Sequence, residues 1–209
     1  TKYAVALNSG TDALTLSLHL LGVRRGDEVI TIPNSFIAST AVIVHLGARP
    51  VFVDVLQDQN IDPSKIVNSI TRKTKAIMPV HLTGRVCDME PIISISKKYN
   101  IPIIEDCAQS FGSKYYGKYS GSFGLIGCFS AHPLKNFSAM GDSGFITTSN
   151  KTIAEFVKRH GNHGLRTRDK ADKFGFVSRM DVIQAAILDY RLKKYHNIIK
   201  KRRKNAEYY

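Results

Sequence analysis

The stretch FSAHPLKNFSAMGDSG, residues 129–144, holds one lysine, Lys135, among small, polar and glycine residues. A surface lysine needs no such setting, whereas an amine with a chemical task does. Ser130 and His132 lie just before it. Other candidate residues recur at or just after apolar runs: IPIIED ends in Glu105 and Asp106, with Gln109 three residues on; Phe36 follows DEVITIP within NSFIAST; Gly10, Thr11 and Asp12 follow KYAVAL within NSGTDAL. Each of these types has a use. A carboxylate at the buried end of a strand needs a partner or it takes up a proton. A phenylalanine past a strand end can lie flat on a planar ring, although read alone Phe36 belongs to a core. Capping residues and a glycine before a helix leave N–H groups that suit a phosphate. Helix capping by itself explains that stretch equally well.

Taken together the parts gain meaning. A phosphate-binding hydroxyl, an amine, a ring-pairing carboxylate and a stacking aromatic are what a protein needs to hold pyridoxal phosphate. The amine forms a Schiff base with the aldehyde, and the carboxylate keeps the pyridine nitrogen protonated so that the ring withdraws electrons. The same lysine, once released, can carry a proton between substrate and cofactor.

The elements that must position these residues are legible in outline. The 209 residues are 43% hydrophobic and 22% charged, a globular mix long enough for one sizeable core. Short β-branched runs (KYAVAL, DEVITIP, PVFVDV, KAIMPV, IPIIED) alternate with helical stretches, and GCFSA and SGFITTS add two further strands. This pattern predicts one α/β domain, with a mainly parallel sheet covered by helices on both faces in three layers. Ligands in such sheets bind at the carboxyl ends of the strands, where the residues above lie.

Composition excludes some classes. No apolar run approaches the roughly 20 residues that span a bilayer, and no signal peptide precedes the first strand. Cys87, Cys107 and Cys128 are odd in number and lack CxxC spacing, which argues against disulfides or zinc and for a reducing cytoplasm. The net charge of +13 is concentrated between Arg191 and Lys204, where Tyr190, Tyr195, Ile198 and Ile199 interleave at helical spacing. A nucleic-acid-binding arm is the lesser reading of this helix. The greater is a solvated helix whose apolar stripe packs on something outside the chain. GDSG lacks the partners of a protease nucleophile, GSFGLIG is not a dinucleotide fingerprint, and HGNH at His160 has no third metal ligand, so no metal is expected.

The motifs SGTDAL, GDEVITIPNSFIAST, LGARPVFVDV, TKAIMPVHLTG, IEDCAQSFGSKYYGK, GCFSAHPLKN, GDSG and SRMDVIQAAIL follow one another in order. Through them the chain resembles the DegT/DnrJ/EryC1/StrS sugar aminotransferase family, within fold-type I of the pyridoxal-phosphate enzymes. The resemblance implies that Lys135 is the Schiff-base lysine, that Asp106 pairs with the pyridine nitrogen, and that Gln109 sits by the ring hydroxyl. It places Phe36 on the ring and gives the phosphate to Gly10, Thr11 and Ser130, with Asp12 offering its backbone. His132 is a common part of this segment and reads as an orienting or packing residue beside the lysine.

Such enzymes move an amino group, usually from glutamate, to a keto group on a nucleotide-linked sugar, and work as homodimers with the active site at the interface. Members in which histidine replaces the lysine are sugar dehydratases; Lys135 favours transamination here, with another pyridoxal-phosphate reaction or an inert fragment with a basic binding helix as alternatives. By the same resemblance residues 1–190 form a cofactor-binding large domain, and 191–209 a basic helix leading to a C-terminal small domain absent from this chain. Two positions depart from the family pattern. Val177 stands where an asparagine reaches across the dimer to the partner's phosphate, leaving Ser178 or water to compensate, or cofactor affinity to fall. Thr83 stands where a tyrosine is common.

Overall fold

The computed structural model describes residues 1–209. Strand β1 (Tyr3–Leu7) leads into helix α1 (Gly10–Leu20), and β2 (Glu28–Thr31) into α2 (Ile37–His45). Then come β3 (Arg49–Phe52), a short α3 (Pro63–Ile66), β4 (Thr74–Ile77), α4 (Met89–Tyr99) and β5 (Ile104–Asp106). A small hairpin, β6 (Lys114–Tyr115) and β7 (Lys118–Tyr119), precedes β8 (Ile126–Ser130) and β9 (Gly144–Thr148). Helix α5 (Lys151–His160), the hairpin β10 (Leu165–Thr167) and β11 (Lys170–Ala171), and the long α6 (Val182–Tyr208) complete the chain.

β2 pairs in parallel with both β3 and β4, and β5 with β8. Parallel bridges Ile77–Ile103 and Val80–Asp106 join the two halves. The order across the sheet is therefore β3-β2-β4-β5-β8-β9-β1. β9 alone runs against its neighbours, pairing antiparallel with β8 and β1. The reason is local: no helix separates β8 from β9, so the chain turns back directly instead of crossing over.

Side-chain alternation along the strands builds the layers. Val29, Ala76 and Ile104 face one core with Leu14 of α1, Val42 of α2 and Val157 of α5. Their neighbours Ile30, Ile77 and Ile103 face a second core with Ile66 of α3 and Ile92 of α4. Both faces of the sheet are thus covered, as a parallel sheet requires. A third, smaller cluster joins Ala131, Phe137 and Ala139 to Leu188 and Tyr195 of α6.

That last cluster corrects one expectation. The apolar stripe of the basic helix was assigned a partner outside the chain, yet Tyr195 is buried, with Ile198 and Ile199 packed beside it against Phe137 and Phe111. Tyr190, on the same stripe, is exposed. The basic residues occupy the later part of one 27-residue helix that begins at Val182. No helix is long and apolar enough to cross a membrane.

Candidate functional site

The carboxyl ends of β1, β5 and β8 and the start of α2 open onto a cavity of about 410 Å³. Gly10, Thr11, Phe36, Asp106, Gln109, Ser130, His132 and Lys135 all line it. Of the residues that the resemblance assigned to the cofactor or placed beside the lysine only Asp12 is missing.

At one end lies the first turn of α1. A Cβ on Gly10 would stand 2.7 Å from Cβ of Ser130, and one on Gly144 would stand 2.3 Å from the carbonyl carbon of Ser9. Only glycine permits this approach, which presses the helix start against the ends of β8 and β9. The amides of Gly10 and Thr11 donate to no protein group, as the first turn of a helix allows. Asp12 differs: its N–H donates to Ser9 Oγ at 3.0 Å. Its backbone is taken by the helix cap, so the expected role in holding an anion does not fit the geometry.

Asp106 closes the floor. It is buried, its Oδ2 accepts from Ser39 Oγ at 2.7 Å, and its Oδ1 accepts from the Ala108 amide at 3.1 Å. Burial pushes its carboxyl above the usual range, opposed by those two hydrogen bonds and by the charge of Lys135. Ser39 was not singled out from sequence. The only sign of it was a small polar residue in the first turn of α2, one turn beyond Phe36.

Glu105, one residue earlier, is wholly engaged elsewhere. Its oxygens accept from the amides of Gly121, Phe123 and Gly124 at 2.7–2.8 Å and from His81 Nε2 at 3.0 Å. His81 Nδ1 accepts from the Cys87 amide at 3.2 Å, so the imidazole proton belongs on Nε2 and the ring is neutral. His81, Glu105 and Cys107 bring their ligand atoms within 4.8 Å of one another. A metal there would have to break the His81–Glu105 hydrogen bond and ionise the Cys107 thiol, which burial holds well above its usual range. The cluster is an anchor for the loop before β8.

Lys135 sits on the connection between β8 and β9. Its amide donates to His132 O at 2.8 Å, and His132 Nδ1 accepts from the Leu134 amide at 3.2 Å, so the histidine braces the turn that carries the lysine. Nζ lies 6.0 Å from the centroid of the exposed Phe36 ring. Helix α6 clamps the same connection from behind. Gln184 accepts from the Met140 amide at 2.9 Å, Arg191 donates to Ser138 O and Oγ, and Tyr195 with Asn136 ties Phe111 O into place. The setting of the lysine is thus a held loop at the carboxyl end of β8, fixed at both ends by strands and in the middle by a helix.

Gln109 is oriented by the Thr83 amide, which donates to its Oε1 at 2.6 Å and leaves its Nε2 protons for the cavity. Thr83 itself adopts φ +56°, a left-handed conformation unusual for a β-branched residue. Val177 is exposed and bridges Asn162. Ser178 does not stand in for an asparagine at that position: it is buried, and its Oγ accepts from Asn8 N–H at 3.2 Å within the same chain. His160 stacks on Phe156 at 3.6 Å, beside His19, and is a packing residue.

The donor set suits one kind of ligand. Free helix-start amides and a hydroxyl offer an anion seat, and an aromatic ring, a buried carboxylate and a primary amine line the same cavity. A flat ring with a protonated nitrogen and a phosphate arm satisfies all three, and pyridoxal phosphate has that form.

Comparison with known proteins points the same way. The sequence pattern of the DegT/DnrJ/EryC1/StrS aminotransferase family matches residues 1–209. The dTDP-3-amino-3,6-dideoxy-alpha-D-galactopyranose transaminase of Aneurinibacillus thermoaerophilus is 45% identical over 209 residues, covering 100% of this chain and 58% of its own length. The UDP-2-acetamido-2-deoxy-3-oxo-D-glucuronate aminotransferase of Pseudomonas aeruginosa is 40% identical, with the same two shares. Among solved structures, DesV of S. venezuelae superposes with a TM-score of 0.91 at 37% identity, over 94% of this chain and 53% of that one. NtdA of Bacillus subtilis, with bound cofactor PMP, gives 0.83 at 40% identity, over 90% and 43%. The chain spans little more than half the length of these curated relatives.

Proposed function

From the premise that the chain belongs to the DegT/DnrJ/EryC1/StrS aminotransferase family, we propose that it is the catalytic large domain of a pyridoxal-phosphate-dependent sugar aminotransferase. The amino group passes from glutamate to a keto group of a nucleotide-linked sugar. The observation that carries this reading is the meeting of Lys135, Phe36 and Asp106 around one cavity whose far end is the open first turn of α1. Bound pyridoxal phosphate supplies an electron-withdrawing ring on which an amino group can be exchanged.

The protein's own residues do the rest. Gly10 and Thr11 amides and the Ser130 hydroxyl bind the phosphate. Phe36 would stack on the ring and Gln109 would donate to the ring hydroxyl. Asp106 holds a proton on the ring nitrogen, and Lys135 anchors the cofactor and carries a proton to and from the substrate carbon. His132 fixes the turn that aims the amine. Val177 leaves the phosphate to these groups of the same chain.

In this reading the enzyme is a cytoplasmic homodimer with a shared active site. Its three thiols are free and buried. Leu134, Met140, Phe174, Val177, Val182 and Ile183 expose apolar side chains, as contact with a second copy would use.

The test is borohydride reduction of the cofactor-loaded protein followed by peptide mapping. The expected outcome is a cofactor adduct on Lys135 alone, and its loss in Lys135→Ala together with the visible absorption band. An unchanged band in Lys135→Ala would overturn the assignment. Ketoglutarate formed from glutamate beyond one equivalent per active site, and only when a keto sugar nucleotide is supplied, would support the substrate class.

A further inference from the structure

Asp106 must do something unusual for a buried carboxylate: stay ionised, and stay aimed. Its surroundings are only partly built for that. Ser39 approaches it from α2, the Ala108 amide from its own loop, His81 from the loop after β4 and Lys135 from the β8–β9 connection. Glu105 adjoins it in the chain, and the thiols of Cys107 and Cys128 lie close by. His81 is neutral by its hydrogen bonding, Glu105 repels, and the thiols stay protonated through burial. Lys135 is the amine that the chemistry uses. The only side-chain hydrogen bond to Asp106 is the one from Ser39.

Ser39 is itself buried, at 2% exposure. It occupies the first turn of α2, three residues after Phe36, and its amide donates to Phe36 O at 3.2 Å. One helical turn therefore carries both the aromatic ring that faces the amine and the hydroxyl that grips the carboxylate.

We propose that Ser39 is a positioning residue for this site, which by donating to Asp106 Oδ2 keeps that carboxylate ionised and turned toward the ring nitrogen of the cofactor. The proposal rests on the pyridoxal-phosphate reading above. The sign follows from the donor. A hydroxyl that donates to the charged form lowers the pKa, so its removal lets Asp106 take up a proton at higher pH. A protonated Asp106 no longer pairs with a pyridinium.

Pyridoxal phosphate titrated into the cofactor-free protein, followed by its visible absorption over a range of pH, tests this without any turnover. In Ser39→Ala the binding is expected to weaken by about tenfold at the acid end of the range and far less at the alkaline end, the acid limb moving upward. Ser39→Thr, which keeps the hydroxyl, restores most of the affinity. In an Asp106→Asn background Ser39→Ala changes little, because no carboxylate is left to tune. A loss equal at every pH, undiminished in the Asp106→Asn background, would mean that Ser39 only fills space and would overturn the proposal. If wild-type protein gives no borohydride-stable adduct on Lys135, the underlying cofactor reading falls, and the role of Ser39 falls with it.

Discussion

Glu105 and Asp106 are adjacent residues on one short strand, both buried at the carboxyl end of β5. Strand alternation turns them to opposite sides, and their surroundings diverge completely. Glu105 meets four protein donors and no open space. Asp106 meets two donors and the wall of a cavity. Burial alone does not tell an anchor from a site; the count of satisfied lone pairs does. The first carboxylate organises a loop, and the second is left short of partners for a ligand to complete.

This contrast can be broken by mutation. The largest effect on stability is expected from Glu105→Ala, which strands three amides and the His81 proton in a dry interior. About 4 kcal/mol of destabilisation by urea unfolding is expected, whereas a loss below about 1 kcal/mol would show that water replaces the carboxylate.

Asp106→Asn should behave in the opposite way. Cofactor-dependent turnover is expected to fall by about a hundredfold, some 2.7 kcal/mol, while the cofactor-free fold is retained or gains stability at neutral pH. The sign follows from the raised carboxyl pKa. The folded state binds the proton more tightly than the unfolded chain, so ionised Asp106 costs stability above its folded pKa. That cost is relieved as pH falls through the folded value toward the ordinary one near 3.9. The melting-temperature gain of Asp106→Asn should therefore shrink on acidification. A gain that grew instead would contradict the assigned direction.

The smallest effect concerns His160, a buried group of the other charge type, which burial holds below its ordinary value. The unfolded chain then binds more protons, so the wild-type fold loses stability as pH drops through about 6.5. In His160→Gln thermal melts should show a shallower acid slope and little change at pH 8.

Much of this was legible in the linear chain. The alternation of β-branched runs with helical stretches predicts the layered sheet, and Lys135, Asp106, Phe36 and Gly10 stand out because each lies at or beyond the end of a strand. Asp12 misled, because the resemblance gives its backbone to the phosphate, and only the folded chain shows Ser9 taking its amide. Ser39 was silent because its partner lies 67 residues away, and a serine in a first helical turn has many commoner uses. The cage around Glu105 was silent too, since it is built from backbone amides, which carry no residue code.

The sequence by itself determined the fold class, the family and the group of side chains that gathers at the strand ends, because periodicity and residue type are local properties that survive without coordinates. Only the tertiary structure decided which carboxylate is free, which helix grips the lysine loop and which amides remain unpaired. Those are questions of hydrogen-bond satisfaction between segments distant in the chain, and they are answered only when the sheet has brought the segments together.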